Sequence, residues 1–412
     1  VSVRKRKWTN ADGTTGSGWQ VDYRDAAGTR RSKSFKLKRD ADVFANTTAV
    51  ELKDGTHVPD AATVTVAEAA DLWLKSCRDA GLEQSTIKQY GEHVRLHLVP
   101  FIGATKLTKI SVPGVRAFQE KLREADRSSA MIKRVTVSLG SILSDSQERG
   151  LVVRNAVSEM AKRRGSAKSK VEKRQRGRLR YGIDIPTMDE ARALIAAAEG
   201  RHRAFILTMV FTGMRSSELR GLSWPDVDLR KGLLHVRQRA DAFQDIGMPK
   251  SDAGQRTIPL LPLVVEALTE WKAECPKGEL GLVFPTETGR PQYHANIVSR
   301  IVQPLVVKAG LTIDTGRIDA DGQPILEPRY SGMHAWRHWN ASWLLNAREV
   351  GGLGLPPKAV QARLGHSSIQ MTYDTYGHLW PTNDEASAMA EAQALFLGAT
   401  VMQQNDVEAR KI

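Results

Sequence analysis

Hydrophobic positions along the chain change their spacing several times, and each change marks an element. Trp19-Gln-Val-Asp-Tyr-Arg24 alternates apolar and polar residues, the two-residue repeat of a half-buried strand. Ser2 to Trp8 reads as a short basic strand before it. Asp25-Ala-Ala-Gly28 reads as a turn, and Thr29 to Phe35 as a third strand with basic outward positions. The spacing then lengthens to that of a helix, from about Lys38 to Leu52, with Ala41, Val43, Phe44 and Val50 available for packing. Three strands on one helix make a minimal domain over residues 1–57.

Residues 64–161 read as helical throughout. Val66 to Cys77 carries Ala67, Ala70, Trp73 and Leu74 at helical spacing. Ser85 is an N-cap candidate for a helix holding Ile87, Tyr90, Val94 and Leu98, expected to stop at Pro100 and Gly103. Val112–Glu124 and Ser128–Glu148 follow, the second closed by Gly150. The apolar stripe of this segment reads as ordinary core. Further on, Thr187-Met-Asp-Glu190 is a capping box in front of Ala191–Ala198, and the most apolar run, 204–211, predicts a buried helix. Leu233–Val236 and Arg256–Leu260 are short strand candidates, and Val264–Lys272 a helix. The stretch 311–331 is loop-like or a hairpin around Asp321-Gly322. The last helices are expected near 334–347, 357–364 and 384–397. No internal repeat is visible.

Charge sharpens the picture. Sixty Lys and Arg against 46 Asp and Glu leave a net charge of +14 over 412 residues, which favours a polyanionic partner. Residues 162–180 (KRRGSAKSKVEKRQRGRLR) hold ten basic residues against a single acid, Glu172, with almost no apolar content. They read as a basic linker able to bind phosphates by counterion release; the alternative is a solvated spacer without specific contacts. The basic side chains Arg4, Lys5, Arg6, Lys7, Arg30, Arg31 and Lys33 make the first unit a second candidate DNA contact, and Lys162, Arg163, Arg164, Lys173, Arg174 and Arg176 do the same for the linker. No run approaches the roughly 18 apolar residues of a membrane span, so no membrane partner is expected. The opening VSVRKRKW has no apolar stretch behind its charges, so no secretory signal is expected either. Two cysteines almost 200 positions apart, Cys77 and Cys275, form neither a disulfide framework nor a zinc module, which fits a reducing, cytoplasmic setting.

Four polar segments in the second half could carry chemistry. They are Thr212-Gly-Met-Arg-Ser-Ser-Glu-Leu-Arg-Gly-Leu-Ser-Trp224, Pro249-Lys250-Ser-Asp-Ala-Gly-Gln-Arg-Thr-Ile-Pro259, His334-Ala-Trp-Arg337-His-Trp-Asn-Ala-Ser342, and Leu364-Gly-His366-Ser-Ser-Ile-Gln-Met-Thr-Tyr373-Asp-Thr-Tyr376-Gly-His378. Each alone has a bland reading: a surface arginine at a helix start, a loop lysine, a core or capping histidine. His334 and His338, four apart, suggest a metal pair, but the glutamate of the zinc-protease motif and a third ligand are missing, so no metal site is expected. No phosphate-cradling GxxxxGK[ST] loop is present, and no nucleotide or other cofactor is expected.

Taken in order, Arg…Lys…His-x-x-Arg…Leu-Gly-His…Tyr, these segments resemble the tyrosine recombinase (phage-type integrase) family. The resemblance covers nearly the whole chain and is most specific in the second half. It implies a multidomain fold: a small α+β N-terminal domain (three-stranded sheet plus helix) for arm-type DNA sites, an all-α core-binding domain at 64–161, the basic linker 162–180, and a mainly α catalytic domain with a small antiparallel sheet at 181–397. A tail, 398–412, follows. It implies Arg215 and Arg337 as phosphate-clamping arginines, Lys250 as the hairpin lysine that protonates the leaving 5′ oxygen, and His334 and His366 as histidines beside the phosphate. Tyr376 is then the nucleophile and Glu218 the acidic buttress. Tyr376 lies ten residues past His366 and Tyr373 only seven, and the family's spacing selects Tyr376. The implied partners are double-stranded attachment sites, three further copies of the chain in a tetramer, and an accessory excisionase or host DNA-bending protein. The sequence departs from the pattern where Trp336, Trp339 and Trp343 crowd His-x-x-Arg and where 311–331 and Gly351–Gly354 lengthen loops. The rival readings are a type IB topoisomerase, which relaxes supercoils without exchanging partners, and a non-catalytic DNA-binding regulator.

Overall fold

The computed structural model describes residues 1–379 except 10–14, 26–27, 56, 60–62, 164–178 and 320, and beyond 379 only Met389 and Gln393. Contacts divide the chain into two compact units, Val1–Lys170 and Val171–Ile412. The side chains of Lys162 and Arg163, and Arg164, Lys173, Arg174 and Arg176 entirely, lie outside the described residues, as does nearly all of the helix expected at 384–397.

The first unit opens with three antiparallel strands in sequential order, β1 (Ser2–Thr9), β2 (Thr15–Arg24) and β3 (Arg30–Phe35), and helix α1 (Lys38–Lys53) packs on one side of them. Side chains alternate across a strand, so the register divides them. Val3 pairs with Val21, Val21 with Lys33 and Trp19 with Phe35, and these residues surround Ala41, Ala45 and Phe44 of α1. Lys5, Lys7, Arg31 and Lys33 therefore share the helix side, while Arg4, Arg6 and Arg30 lie on the open face. This corrects the reading of β3 as basic outward: only Arg30 points that way. Arg31 Nε lies 2.9 Å from Asp25 Oδ2, and Lys33 Nζ sits 4.7 Å from the Phe44 ring centroid. On the open face the Trp8 indole lies so close to β2 that a Cβ on Gly16 would come within 2.6 Å of it.

Helices α2 (Val66–Asp79), α3 (Gln84–His93), α4 (Val99–Ile102), α5 (Val112–Glu124), α6 (Ser129–Glu148) and α7 (Ala156–Arg163) complete the unit around a core that includes Trp73, Leu98, Phe118, Leu139 and Ile142. Thr65 and Glu68 form a full capping box at the start of α2. Two expectations are corrected. Ser85 is not the N-cap of α3; Glu83 holds that place in extended backbone, and the Ser85 hydroxyl reaches back to its carboxylate at 3.5 Å. Pro100 does not stop the helix either. The turn Val94–Leu98 widens to a π-helix just before it, which absorbs the missing N–H, and the helical run ends at Gly103.

The second unit begins with α8 (Met188–Ala197), opened by the Thr187–Glu190 capping box, and α9 (Arg201–Thr212), buried almost all round as its apolar run predicts. The short α10 (Ser216–Gly221) leads to β4 (Val227–Asp228) and β5 (Leu233–Val236). A small hairpin, β6 (Arg239–Ala240) with β7 (Ile246–Gly247), precedes β8 (Arg256–Pro259), and the antiparallel order is β4-β5-β8. Helices α11 (Pro262–Glu274), α12 (His294–Ile297) and α13 (Gln303–Lys308) follow. The stretch left open as loop or hairpin is a hairpin, β9 (Thr312–Ile318) with β10 (Pro324–Pro328). The chain then forms α14 (His334–Leu345), α15 (Pro357–Leu364) and α16 (Ile369–Tyr376). The tryptophans of α14 belong to the core: Trp336 and Trp339 are buried, and Trp343 stacks on Trp339 with 5.8 Å between centroids. Among the described residues no helix is long and apolar enough to cross a membrane.

Candidate active site

The polar segments singled out in the sequence meet around the start of α10, the start of α14 and the turn between α15 and α16. Helix α9 ends at Thr212, and Gly213 turns the chain in the left-handed region (φ 59°). A Cβ there would lie 2.4 Å from Asn340 Oδ1, so no other residue fits the turn unchanged. Arg215 then stands at the N-cap of α10. Its Nη1 donates to Glu218 Oε1 at 2.8 Å, its backbone N to Glu218 Oε2 at 2.9 Å, and its Nη2 to Gly365 O at 2.8 Å.

Glu218 is buried and also receives Arg256 Nη2 at 2.8 Å. Burial pushes its carboxyl upward, but the hydrogen bonds and charges of Arg256 and Arg215 outweigh this and hold it below the ordinary carboxylate range. Arg256 is itself enclosed, donating from Nε to Arg363 O at 2.7 Å and from Nη1 to Gly254 O at 2.9 Å. Arg337, one turn into α14, bridges two segments: Nη1 to Gly213 O at 2.5 Å and Nη2 to Leu364 O at 2.6 Å. Burial, with Arg215 nearby, lowers its pKa to about 10, so it stays charged at neutral pH.

Tyr376, the last residue of α16, is 1% exposed and packs among Ala341, Leu344, Val360 and Leu364. Its ring lies parallel to that of His366, 6.2 Å between centroids, and its hydroxyl is 2.7 Å from His338 Nδ1. Burial pushes the phenol up to about 12 against the pull of Arg337 and Arg215. His366 is held by Thr372 Oγ1 at 2.9 Å from its Nδ1; burial, with Arg337 and Arg215, lowers it to about 4. His334 and His338 face each other edge to face at 4.4 Å, and burial lowers both. Tyr373, by contrast, is 49% exposed.

Arg215, Glu218, His334, Arg337, His366 and Tyr376 thus form one cluster. Lys250 is exposed on the loop joining β7 to β8. That loop reaches the cluster by its far end, since a Cβ on Gly365 would lie 2.8 Å from Ala253 O. Three residues of the cluster escape the sequence reading. Arg256 and Thr372 lie within the polar segments but carry no role in the sequence reading, and His338 has only that of half of a metal pair. What could have revealed His338 is its place directly after Arg337, on the same buried helix.

Residues 186–382 match the phage integrase family, and residues 65–123 match the N-terminal SAM-like domain of phage integrases. The chain is 30% identical over 247 residues to the prophage integrase IntR of Escherichia coli K12, covering 54% of each. It therefore spans about half the length of that relative. It is 24% identical over 403 residues to a XerC-like tyrosine recombinase of Caldanaerobacter subterraneus, covering 91% of this chain and 94% of the other. Among solved structures, the Tn1549 transposon integrase in complex with a circular intermediate DNA superposes with a TM-score of 0.59 at 19% identity, over 80% of this chain and 99% of that one. A lambda integrase bound as a dimer to a core site superposes with a TM-score of 0.54 at 20% identity, over 92% and 97%. The matched segments contain the whole Arg–His–Arg–His–Tyr cluster, and the chain belongs to the tyrosine recombinase (phage-type integrase) family.

Proposed function

We propose that this protein is a site-specific DNA recombinase, the integrase of a phage or integrative element, which cuts and rejoins DNA through a 3′-phosphotyrosine. The observation that carries the reading is one enclosed tyrosine, Tyr376, within the electrostatic reach of two guanidiniums, Arg337 and Arg215, that are anchored by the backbone turns at Gly213 and Gly365. Attack on a phosphodiester builds negative charge on the non-bridging oxygens, and catalysis rests on positioning and electrostatic stabilisation. Arg215 and Arg337 present planar, permanently charged forks to those oxygens. Glu218 and Arg256 hold Arg215 in place. Tyr376 Oη forms the new bond to phosphorus as the bond to the 5′ oxygen breaks, and Lys250 on its loop gives that oxygen a proton. His334 and His366 line the phosphate pocket. The phosphotyrosine keeps the energy of the broken bond, so the strand rejoins without a nucleotide cofactor.

In this reading residues 1–57 bind accessory arm sites, 64–161 and 181–397 close on the core site, and 162–180 joins them along the backbone. Four copies act around two duplexes, exchanging one pair of strands at a time through a Holliday junction. A lambda integrase tetramer bound to a Holliday junction, which this fold matches with a TM-score of 0.52, supports that arrangement. An excisionase or host DNA-bending protein would set direction.

The test is covalent capture. A pool of nicked duplexes with a randomised core is incubated with the protein; strands that stay attached after denaturation are sequenced, and the modified peptide is mapped by mass. The expected adduct is on Tyr376, lost in Tyr376→Phe and kept in Tyr373→Phe. Adducts that persist in Tyr376→Phe would overturn the assignment.

A further inference from the structure

We infer that His338 is the residue that takes the proton from the Tyr376 hydroxyl during strand cleavage and returns it during rejoining. This rests on the reading of Tyr376 as nucleophile and adds a role that the Arg–Lys–His–Arg–His–Tyr set leaves empty.

A phenol must lose its proton as it attacks, and at pH 7 a tyrosine in this site is fully protonated. Among the described residues the hydroxyl of Tyr376 makes a single hydrogen bond, the 2.7 Å contact to His338 Nδ1. A hydroxyl has one proton to give, and the imidazole nitrogen is its one acceptor there. The ring of His366 lies parallel to that of Tyr376 with 6.2 Å between centroids and makes no hydrogen bond to its hydroxyl, while its Nδ1 is engaged by Thr372. His334 and Arg337 meet His338 from its own helix, His366 and Tyr376 from the α15–α16 side, and Asp184 from the segment before α8. Burial is the main influence on the imidazole, and His334, Arg337 and His366 add to it against Asp184, so it is neutral at pH 7 with its lone pair available.

The step balances. Tyr376 Oη bonds to phosphorus, its hydrogen passes to His338 Nδ1, the bond from phosphorus to the 5′ oxygen breaks, and that oxygen takes its proton from Lys250. On rejoining, the 5′ hydroxyl attacks phosphorus and gives its proton to Lys250, the bond to Oη breaks, and His338 hands its proton back to Oη.

The test uses the full-length protein and a captured nicked duplex in single-turnover cleavage from pH 5 to 9. His338→Asn is the informative variant, because its Oδ1 falls near the place of Nδ1 and can still accept the phenol hydrogen bond without carrying its proton away. His338→Gln is the companion if the first does not fold, with thermal unfolding and duplex binding as controls. The expected result is a loss of roughly 100-fold or more near neutral pH, and recovery towards high pH. With burial holding His338 at about 4, the wild-type rate stays nearly flat from pH 5 to 9, while the variant, with no base to take the proton, climbs with pH. A His338→Asn rate within about 3-fold of wild type, or a variant profile as flat with pH as that of wild type, overturns the inference. Wild-type adducts on a residue other than Tyr376 overturn the parent reading instead, so the two failures are distinct.

Discussion

At the scale of single residues, the candidate site is organised by one carboxylate. Glu218 answers two guanidiniums at 2.8 Å each, and the side chain of Arg256 is only 6% exposed. Removing one partner of such a group leaves uncompensated charge in a low dielectric. Glu218→Ala is expected to destabilise the second unit by about 3–5 kcal/mol in denaturant unfolding, and Glu218→Gln by less, since the amide still accepts one bond. The folded carboxyl titrates below its unfolded value, so its contribution is present above the ordinary carboxylate pKa and disappears as pH falls below it. In Glu218→Gln that acid-side loss is expected to shrink; an unchanged acid limb would show that Glu218 is not its source. The residues with permanent charge or direct chemistry could be read from their spacing. Arg256 and His338 could not, because what matters in them is which buried group each one meets across the fold. For Arg256 that is an acid 38 positions away, and for His338 a tyrosine 38 positions further on.

At the scale of elements, apolar periodicity marks the longer helices of both units but not α10, α12, α13 or α16, which are too short to show it, and α9 stands out because its run has no polar face. Element ends were less legible. Pro100 promised a break, but a π-turn upstream let the helix pass through it, a choice made by packing rather than by the local sequence. The same bulge has a chemical consequence. His93 precedes it and His97 lies within it, both buried, and His93 Nε2 and His97 Nδ1 have no hydrogen-bond partner among the described residues. Burial lowers the pKa of each, with the other histidine adding to the effect on His93. The unfolded chain therefore binds protons that the folded one refuses. Stability is complete above the ordinary histidine pKa of about 6.5 and falls as pH drops below it. Thermal unfolding of wild type is expected to lose ground between pH 7.5 and 5.5, followed by Trp73, whose ring sits 4.6 Å from Tyr90 beside this bulge. His93→Asn, which can keep the bond to Ser138 without titrating, is expected to lose less. Equal losses in both would remove His93 from the account.

At the scale of the whole molecule, the excess of positive charge matters through where it is placed. A charge that touches a phosphate releases counterions, and each such contact steepens the salt dependence of binding by about 0.9 in the log–log slope. The small sheet sorts its basic residues by register. Arg4, Arg6 and Arg30 stand on the open face, where Asp22, between them on β2, meets Arg4 at 2.9 Å and Arg30 at 3.9 Å. Arg31 and Lys33 are turned to the helix side and occupied with Asp25 and Phe44. Composition alone groups all of these as one basic patch, because a count of charges has no faces; the register separates them. If the open face is the one laid on duplex DNA, replacing Arg4, Arg6 and Arg30 by Ser lowers the slope for the isolated arm-type interaction by roughly 2–3 while leaving thermal stability close to wild type. Replacing Arg31 and Lys33 does the reverse: it strips an ion pair and a cation from the Phe44 ring, lowers stability, and changes the slope little. Fluorescence-anisotropy titrations of a duplex from 50 to 300 mM salt, set beside melting curves of the same two variants, separate these outcomes. A slope that follows Arg31 and Lys33 instead would put the DNA on the helix side of the sheet.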